Sequence, residues 1–462
     1  MKELICIQGL GFVGAAMAVA CARAGTRHNG EPVFDVVGLD LASETGLERV
    51  RKINSGEFPF GTTDLNLIQQ TKAAHLAGNL KATTDNEILR QASIVVVDVH
   101  FDIGDLTGEG HLKFGPFLNA IETIAQRVKP GCLVVVETTV PPGTCAKVIR
   151  PVLDRCALER GLPVDSILLA HAYERVMPGE HYLASITDFW RVFAGHTPAS
   201  GDACEKFLSQ VVNVADFPLM RLSNTTASET SKVLENSYRA LNIAFMDEWG
   251  RFAERVGIDM FEVINAIRKR PTHNNMKQPG FGVGGYCLTK DPLFADLAAK
   301  DIFNFTDVEF PLSRIAVKIN QDMPLHSLGK IRKALDTLAN KRMLLAGISY
   351  RQDVADTRYS PSQPFYEIAT HEGASVICHD PLLSHWDDLN LPVESAMDTC
   401  PDVQAVIFAV PHKEYKTLVP AIWLAGKTPY ILDANDCLTG DQRAQFAACG
   451  CRVESVGRGI LE

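Results

Sequence analysis

The sequence has no apolar run long enough to cross a membrane, since none reaches the roughly eighteen residues that such a helix needs. The chain also has no excess of basic residues, with 45 Lys and Arg and 55 Asp and Glu. The resulting net charge of −10 argues against a nucleic-acid partner. The apolar N-terminal stretch is interrupted by Glu3 and Gln8 and has no small-residue cleavage site. We therefore expect a buried strand there, with no signal peptide and no membrane association.

Cysteine pairs are also missing. The twelve cysteines include no Cys-x-x-Cys motif and no Cys/His cluster with metal-ligand spacing, so no metal site is predicted. Scattered cysteines in a chain of 462 residues are typical of reduced thiols in the cytoplasm, most of them packed in cores. Apolar residues make up 46% and charged residues 22%, the ordinary composition of a globular protein, and the length indicates two or three domains.

Short apolar runs alternate with helical patterns in two parts of the chain. The first part has candidate strands at 4–8, 36–39, 94–98, 133–136 and 167–171, and the second at 343–346, 375–379, 405–410 and 430–432. Between them, residues 227–256 contain no proline and carry apolar residues at helical spacing, which predicts one long, largely buried helix. The pattern predicts an α/β protein with two Rossmann-like, doubly wound α/β domains at 1–215 and 329–462, joined by a central helical domain at 216–328.

A glycine-rich turn follows the first candidate strand. The motif Gly-x-Gly-x-x-Gly in a strand–turn–helix setting is typical of a dinucleotide site, where the backbone approaches a pyrophosphate at a helix N-terminus. The next strand ends at Asp40, whose carboxylate would accept from a ribose 2′-hydroxyl, and no basic residue follows before Arg49, which favours NAD over NADP. A tight turn and a strand-end cap are the simpler alternatives. The predicted cofactor residues here are Gly9, Gly11, Phe12, Val13, Gly14 and Asp40.

A second glycine-rich stretch, residues 280–285, leads directly into Cys287. Glycine is costly to order, so a dense run indicates unusual backbone angles or close approach of a ligand. A thiol placed there is a candidate nucleophile, and Lys290 and Asp291 are near enough in sequence to tune its pKa or fix its rotamer. From composition alone, a packing cysteine is the more frequent case.

Six motifs together resemble the UDP-glucose/GDP-mannose dehydrogenase family, the nucleotide-sugar 6-dehydrogenases. They occur in the order typical of the family and span nearly the whole chain. The motifs are Gly9-x-Gly11-x-x-Gly14, Glu137-Thr-Thr-Val-Pro-Pro-Gly-Thr144, Tyr173-Glu-Arg-Val-Met-Pro-Gly179, Lys232-x-x-x-Asn236, Gly284-Gly-Tyr-Cys-Leu-Thr-Lys-Asp-Pro292, and Gly347-Ile-Ser-Tyr-Arg351 with Asp356-Thr-Arg-Tyr-Ser-Pro361.

The resemblance implies oxidation of a sugar C6 alcohol to a carboxylate with two NAD and one water. Cys287 would be the nucleophile that holds the aldehyde as a thiohemiacetal and then as a thioester. Lys232 and Asn236, four residues apart on one helix, would stabilise an alkoxide or oxyanion, although a solvated lysine and a surface asparagine are the simpler alternative. Glu174 would be a general base, or else an ordinary partner of Arg175.

The remaining site residues also follow from the resemblance. Thr139 would hold a water or contact the nicotinamide, or else make a strand-end hydrogen bond, and Asp291 would orient Cys287 or its water, or cap the next helix. Arg358 would reach the cofactor. The predicted substrate-binding residues are Glu174, Arg175, Lys232, Asn236, Phe281, Gly282, Gly284, Tyr350 and Arg351.

The chain departs from the family pattern at several points. His100-Phe101 stands where the family usually has Pro-Thr, and Tyr173 replaces the usual proline before Glu174. The turn at 433–436 lacks the usual arginine, and residues 270–277 offer only Arg270 and Lys277 for an arginine that a partner subunit often supplies. These changes place the identity of the sugar in doubt, and they leave the fold and the chemistry intact.

The motifs conflict over the sugar. Residues 174–179 follow the branch that oxidises UDP-N-acetylhexosamines, whereas Lys290-Asp291 follows the UDP-glucose branch. We favour a UDP-N-acetylhexosamine, with UDP-glucose as the alternative. A two-electron β-hydroxyacid dehydrogenase and a non-catalytic NAD-sensing protein are rivals of other classes, and Cys287 with the C-terminal α/β half argues against the first of them. The long apolar helix must be covered, and in the family such a helix forms a homodimer.

Overall fold

The computed structural model describes residues 2–26, 30–103 and 110–459. The chain divides into two compact units, one of residues 1–235 with 294–309 and the other of residues 236–293 with 310–462. The division falls inside the long central helix. The predicted three-domain boundaries at 215 and 328 stay a prediction.

The first unit is built on an eight-stranded sheet in the order β3-β2-β1-β4-β5-β6-β7-β8. Every neighbouring pair is parallel except β6 and β7. Strands β4 and β5 are buried at every position, so both faces of the sheet are covered, as a continuous Val/Ile/Leu run predicts. The strands are β1 Glu3–Gln8, β2 Phe34–Leu39, β3 Leu80–Thr83, β4 Ile94–Val97, β5 Leu133–Val136, β6 Leu168–Tyr173, β7 Val192–Gly195 and β8 Met220–Arg221.

The α-helices of the described residues alternate with the strands and then dominate the middle of the chain. They are α1 Phe12–Ala22, α2 Glu44–Asn54, α3 Leu65–Leu76, α4 Gly115–Ala125, α5 Arg150–Glu159, α6 Ala184–Thr187, α7 Pro198–Val211, α8 Thr225–Val256, α9 Met260–Ile267, α10 Tyr286–Lys290, α11 Phe294–Asp301, α12 Pro311–Leu335, α13 Ser362–His371, α14 Pro420–Leu424 and α15 Gly440–Ala448. None of those described is long and apolar enough to span a bilayer.

Helix α8 is the predicted long helix, but its burial differs from the prediction. Its buried side carries small residues, Met246 and the polar or charged Glu229, Lys232, Asn236 and Asp247, whereas most of the large apolar side chains are exposed in the single chain. The prediction that this helix is largely buried is therefore wrong for one chain. The exposed residues form a stripe along the helix, which we call the α8 stripe: Leu234, Tyr238, Phe245, Trp249 and Phe252.

The second unit contains a five-stranded, all-parallel sheet in the order β10-β9-β13-β14-β15. A separate two-stranded hairpin lies, in chain order, between the second and third strands of this sheet. The strands are β9 Arg342–Ala346, β10 Ser375–His379, β11 His385–Trp386, β12 Leu391–Pro392, β13 Ala405–Phe408, β14 Tyr430–Asp433 and β15 Val453–Ser455. Two doubly wound α/β sheets and one long helix confirm the predicted fold class.

Both sheets reverse strand order beside their first strand, β1 in one and β9 in the other. Ligands of open α/β sheets bind at such switch points, outside the carboxyl ends of the strands. The turn after β1 holds the predicted cofactor glycines, and the turn after β9 holds Tyr350 and Arg351. The topology therefore places two of the predicted motifs where small molecules bind.

Candidate functional site

The turn after β1 is shaped to let a ligand approach the backbone. Gly9 has a φ of +99°, and a Cβ there would lie 2.7 Å from the carbonyl oxygen of Asp98. A Cβ on Gly14 would lie 1.9 Å from the carbonyl oxygen of Gly9, so helix α1 packs directly on the turn. At Gly11, by contrast, the described residues leave the space around a Cβ open to 4 Å. These three positions fit the pyrophosphate of a dinucleotide, and Phe12 and Val13 open the helix whose N-terminus faces it.

Asp40 lies just beyond the end of β2 with its side chain nearly buried. Its Oδ1 accepts from the backbone N–H of Leu41 at 2.8 Å, and Arg49 on α2 donates to Oδ2 at 3.3 Å. The guanidinium of Arg49 also lies 5.5 Å from the ring of Phe60. The first basic residue after Asp40 therefore does reach the carboxylate, which the sequence spacing did not indicate.

A buried charge cluster lies beneath the cofactor turn, and sequence reasoning missed it. Glu137 follows β5, and its carboxylate contacts the guanidinium of Arg191; both side chains are almost fully buried. Asp98 follows β4 and is buried as well. Burial raises the pKa of Asp98, nearby Glu174 raises it further, and Arg191 opposes the rise. The sequence offers one clue to this cluster. An acidic residue stands at the end of each of two apolar runs, Asp98 after Val97 and Glu137 after Val136.

The departure at 100–101 has a packing role. The ring of Phe101 is buried and lies 5.7 Å from Phe117 and 5.6 Å from Phe294, both edge-on. His100 is exposed beside Asp102. Thr138 donates to the carbonyls of Val97 and Val99, and its neighbour Thr139 is half-buried at the end of β5.

The first unit brings Lys232 and Glu174 together. Lys232 on α8 donates to the backbone carbonyl of Glu174 at 2.7 Å, and its Nζ lies 3.8 Å from the Glu174 carboxylate. Both side chains are nearly buried. The other Glu174 oxygen accepts from the backbone N–H of Val176. An ammonium and a carboxylate held together in this way can supply an oxyanion donor and a proton acceptor.

Arg175, a predicted substrate residue, has its donors directed to protein groups. Its Nε and Nη2 bind the carboxylate of Glu235 at 3.0 and 2.9 Å, and its Nη1 donates to the carbonyl of Trp190 at 2.8 Å. The side chain therefore joins the end of β6 to helix α8. Glu235 is a further residue that the sequence analysis did not single out.

The second unit brings Asn236 of α8 to Lys290 and Asp291, which follow Cys287 closely in the sequence. Asn236 donates from Nδ2 to Asp291 at 2.8 Å, and Lys290 binds the other carboxylate oxygen at 3.0 Å. Asp291 is buried, so the two donors satisfy a carboxylate that would otherwise be costly to bury. Cys287, on α10, is exposed, whereas the other eleven cysteines are buried or half-buried.

The glycine loop before Cys287 packs on the turn after β9. A Cβ on Gly284 would lie 2.7 Å from the Cβ of Tyr350, and one on Gly282 would lie 2.5 Å from Pro361. Gly285 has a φ of +78° and donates its N–H to the carbonyl of Arg358 at 3.2 Å. Close backbone approach, which dense glycine predicts, is therefore present here.

The other predicted residues of the second unit have distinct surroundings. Phe281 is buried and its ring lies 5.6 Å from Phe365, so its side chain belongs to the core. Arg351 is exposed, and burial raises the pKa of Tyr350 to about 12. Arg358 forms a two-pronged pair with Asp356 and lies 4.7 Å from the ring of Tyr286.

Arginines do reach the turn at 433–436, although the turn itself has none. Arg443 on α15 binds Asp433 at 2.9 Å and Asp436 at 3.4 Å, and Arg458 binds Asp436 at 3.0 Å. Because Arg443 and Arg458 lie outside the turn in the sequence, a comparison of the turn motif alone does not identify them. Within residues 2–26, 30–103 and 110–459, no group of three or more His, Cys, Asp or Glu side chains could hold a metal ion.

Comparison with known proteins matches three consecutive stretches to the UDP-glucose/GDP-mannose dehydrogenase family. Residues 3–211 match its NAD binding domain, 226–322 its central domain and 344–440 its UDP binding domain. A UDP-N-acetyl-D-mannosamine dehydrogenase of Pyrococcus horikoshii is 31% identical over 421 residues and 90% of each chain. One of Methanocaldococcus jannaschii is 30% identical over 98% of this chain and 96% of its own. The solved structure of UDP-D-ManNAc dehydrogenase from Pyrococcus horikoshii has a TM-score of 0.81 at 26% identity, covering 99% of this chain and all of its own.

Proposed function

The chain belongs to the UDP-glucose/GDP-mannose dehydrogenase family and carries its NAD-binding domain, and on that basis we propose that it oxidises the C6 alcohol of a UDP-N-acetylhexosamine to the carboxylate. NAD is its cofactor. The observation that carries the proposal is Cys287, an exposed thiol at the end of a glycine loop that packs on the turn after β9.

The reaction removes four electrons in two steps and adds one water. When bound, NAD accepts the hydride in each oxidation, held by Gly9, Gly11, Phe12, Val13, Gly14, Asp40, Thr139 and Arg358. The first oxidation of the alcohol gives an aldehyde. The Cys287 thiolate adds to the aldehyde carbon and forms a thiohemiacetal, whose oxidation gives a thioester. Water then adds to the thioester carbon, and the C–S bond breaks to release the carboxylate and the thiol.

Lys232 and Glu174 supply the proton chemistry in this proposal. Glu174 accepts the proton of the alcohol or of the attacking water, and Lys232 stabilises the oxygen that becomes negative. The 3.8 Å between them keeps the ammonium beside the base. Losing an oxyanion donor of this kind typically lowers kcat by about 10²–10³-fold.

Asn236 and Asp291 are proposed to act around Cys287. Asn236 directs an amide N–H toward the same oxygen, and the Asp291 carboxylate, which accepts from Asn236 at 2.8 Å, sets the orientation of that amide. The UDP moiety is proposed to bind along Gly282 and Gly284 and the turn with Tyr350 and Arg351, since an arginine fork suits phosphate oxygens. Arg175 and the backbone of Phe281 complete the proposed substrate set.

The choice of sugar rests on two observations. The segment 174–179, Glu-Arg-Val-Met-Pro-Gly, follows the N-acetylhexosamine branch, and the relatives described above are named UDP-N-acetyl-D-mannosamine dehydrogenases. UDP-N-acetylmannosamine is therefore the first substrate to test. UDP-glucose stays the alternative because Lys290-Asp291 follows the other branch.

The test measures NADH formed per sugar consumed. The protein is incubated with excess NAD and limiting UDP-N-acetylmannosamine, UDP-N-acetylglucosamine, UDP-N-acetylgalactosamine or UDP-glucose. We expect two NADH per molecule of an N-acetylhexosamine nucleotide and no turnover to the acid in Cys287→Ala. Cys449→Ala, a half-buried cysteine on the C-terminal side of α15, is the matched control and should keep full activity.

Each result decides a separate part of the proposal. One NADH per sugar, or full activity of Cys287→Ala, would rule out the covalent second oxidation. Preference for UDP-glucose would overturn the sugar and leave the reaction intact. No NADH with any of the four nucleotides would contradict the proposed activity.

We also propose a homodimer formed through the central helices, supported by the α8 stripe. A cytoplasmic location is the further proposal, supported by the eleven cysteines other than Cys287, which all lie in the described residues and form no disulfide there.

A further inference from the structure

Tyr173 is the last residue of β6 and directly precedes Glu174. The family usually has proline here, which offers neither an aromatic face nor a hydroxyl. The tyrosine side chain is buried at 1% exposure, so its polar end must find partners inside the protein. Nothing in the proposed reaction uses it.

The ring of Tyr173 lies beside the ammonium of Lys232, with Nζ 5.4 Å from the ring centroid. The face of an aromatic ring attracts a cation at this distance, most strongly where water is excluded. The same ammonium donates to the carbonyl of Glu174, the next residue. Lys232 is therefore held between a backbone oxygen and a ring that belong to adjacent residues.

The hydroxyl of Tyr173 fixes the position of that ring on helix α8. It shares a hydrogen bond with Ser231 at 2.9 Å and accepts from Arg175 at 3.1 Å. Arg175 in turn binds Glu235, which lies four residues after Ser231 and on the same face of the helix. Ser231 and Glu235 flank Lys232 on α8, so the network joins the end of β6 to the helical turn that carries the lysine.

Strand β6 itself brings no second cation to the ring, but Arg175, two residues beyond the strand, has its guanidinium 5.1 Å from the ring centroid. His171 is the other ionisable residue of that strand near Lys232, and its Nδ1 is hydrogen-bonded to Ser228 at 2.8 Å. Burial lowers the pKa of His171 to about 3, and Lys232 contributes to the lowering, so the imidazole is neutral. The charged groups around the ring are then Lys232, Arg175, Glu174 and Glu235.

We propose that Tyr173 is a positioning residue for the oxidation: its ring directs the Lys232 ammonium, and its hydroxyl locks the ring to α8 through Ser231 and Arg175. This inference rests on the proposed role of Lys232 in stabilising the substrate oxygen. Tyr173 acts through Lys232 and contacts no reacting atom in this scheme. Arg175 and Glu235 support the same arrangement.

The first test separates the ring from the hydroxyl. Tyr173→Leu should lower kcat about tenfold with little change in KM, because the lysine keeps its charge and loses its orienting face. Tyr173→Phe keeps the ring and should restore most of kcat, within about threefold of the wild type. Tyr430→Phe removes a buried hydroxyl on β14 and is the matched control, with kcat expected to be unchanged.

A double-mutant cycle tests whether Tyr173 acts through Lys232. In a Lys232→Ala background, measured in single turnover at high enzyme concentration, Tyr173→Leu should cost less than about twofold further. A further tenfold loss in that background would mean that Tyr173 acts elsewhere and would overturn the proposal. A thermal-unfolding midpoint for each variant shows whether a kcat loss comes with a general loss of stability.

Crystal structures of the wild type and Tyr173→Leu give a readout that needs no activity. We expect the Lys232 Nζ to leave the Glu174 carbonyl in the leucine variant. An unchanged Nζ position would overturn the proposal even if no UDP-sugar is oxidised. Failure of the wild type to form NADH with every nucleotide tested would instead contradict the proposed function.

Discussion

At the scale of single residues, Asp40 has two competing partners. A ribose hydroxyl would donate to its carboxylate, and Arg49 already binds Oδ2 at 3.3 Å. A carboxylate at this position repels a 2′-phosphate, whereas an arginine fork attracts one. The charges of Asp40 and Arg49 nearly cancel. The preference for NAD or NADP therefore depends on whether the carboxylate or the guanidinium has the stronger effect on the group at the ribose 2′ position.

Removing the carboxylate should shift this balance. We expect Asp40→Ala to lower kcat/KM for NAD about tenfold, because a charged hydrogen bond to the ribose is lost, and to raise kcat/KM for NADP as Arg49 becomes available. Initial rates with each cofactor at saturating sugar nucleotide measure both effects. The gain with NADP should disappear in Asp40→Ala/Arg49→Met, and its persistence there would show that Arg49 is not the phosphate partner.

The sequence allowed Asp40 to be predicted but not its partner. A carboxylate at the end of the second strand is fixed by the spacing of the motif. Arg49 lies nine residues further on, and its contact depends on the direction in which α2 leaves the strand. The same limit applies to Arg443 and Arg458, which reach the turn at 433–436 from the following helix and from the turn after β15.

At the scale of elements, helix α8 is tied to the turn after β5 by one carboxylate. Glu229 accepts from the backbone N–H of Gly143 at 2.6 Å and of Cys145 at 2.7 Å. The side chain is fully buried, and burial raises the pKa of Glu229 to about 7, although the N–H groups oppose the rise. Its charge state therefore changes within the physiological range of pH.

This carboxyl should make stability depend on pH in a definite direction. In the unfolded chain a glutamate has a pKa of about 4.3, so between pH 4 and 7 the folded state binds more protons than the unfolded state. The contribution of Glu229 to the free energy of unfolding is thus fully present below pH 4 and is lost as pH rises to about 7. Urea unfolding at pH 5, 6, 7 and 8 measures the slope.

Glu229→Gln should flatten that slope, whatever constant loss of stability the substitution causes. The exposed Glu44→Gln is the matched control and should leave the slope as in the wild type. An equal slope in Glu229→Gln and the wild type would mean that another group carries the dependence.

Strong apolar runs made most strands predictable. The predicted strands at 133–136 and 375–379 coincide with β5 and β10, and each of the others differs by one or two residues at one or both ends. The prediction omitted β3, β7 and the short β8 and β15, which lie on the outer parts of the two large sheets, and also the two short strands of the hairpin, β11 and β12. Edge strands need less apolar surface than central ones, so they carry a weaker pattern.

At the scale of the whole molecule, the order of the domains and motifs along the chain was predictable, but the exposure of the apolar side chains on α8 was not. Alternating patterns gave two α/β halves around a helical middle, and motif order gave the family. The apolar spacing on α8 predicts burial, yet its large apolar side chains face outward in the single chain. Periodicity identifies an apolar face, but only the packing of neighbouring elements determines which face of a helix is covered.

The α8 stripe contains a cluster of contacting rings. Phe245, Trp249 and Phe252 follow one another along the helix, with centroids 6.2 and 5.9 Å apart in edge-on geometry. Tyr238 extends the same face. Exposed apolar patches of this kind usually mark a protein–protein interface, and a second copy of the helix offers the complementary surface in a two-fold dimer.

A charge within this cluster should separate the proposed dimer. We expect the wild type to have about twice the 50.6 kDa mass of one chain in light scattering after gel filtration, and Trp249→Glu to approach the mass of one chain. Burying an unpaired carboxylate against aromatic rings costs several kcal/mol, which is a large share of the free energy of a typical dimer.

Trp190→Glu is a closely matched control, since Trp190 is 48% exposed and Trp249 46%, but it lies near β7, away from the α8 stripe. This variant should keep the wild-type mass. If Trp249→Glu also keeps it, the α8 stripe is not the interface, and the exposed face must be covered in another way. If the wild type itself has the mass of one chain at micromolar concentration, the proposed homodimer is wrong, and the stripe stays a solvent-exposed surface of the monomer.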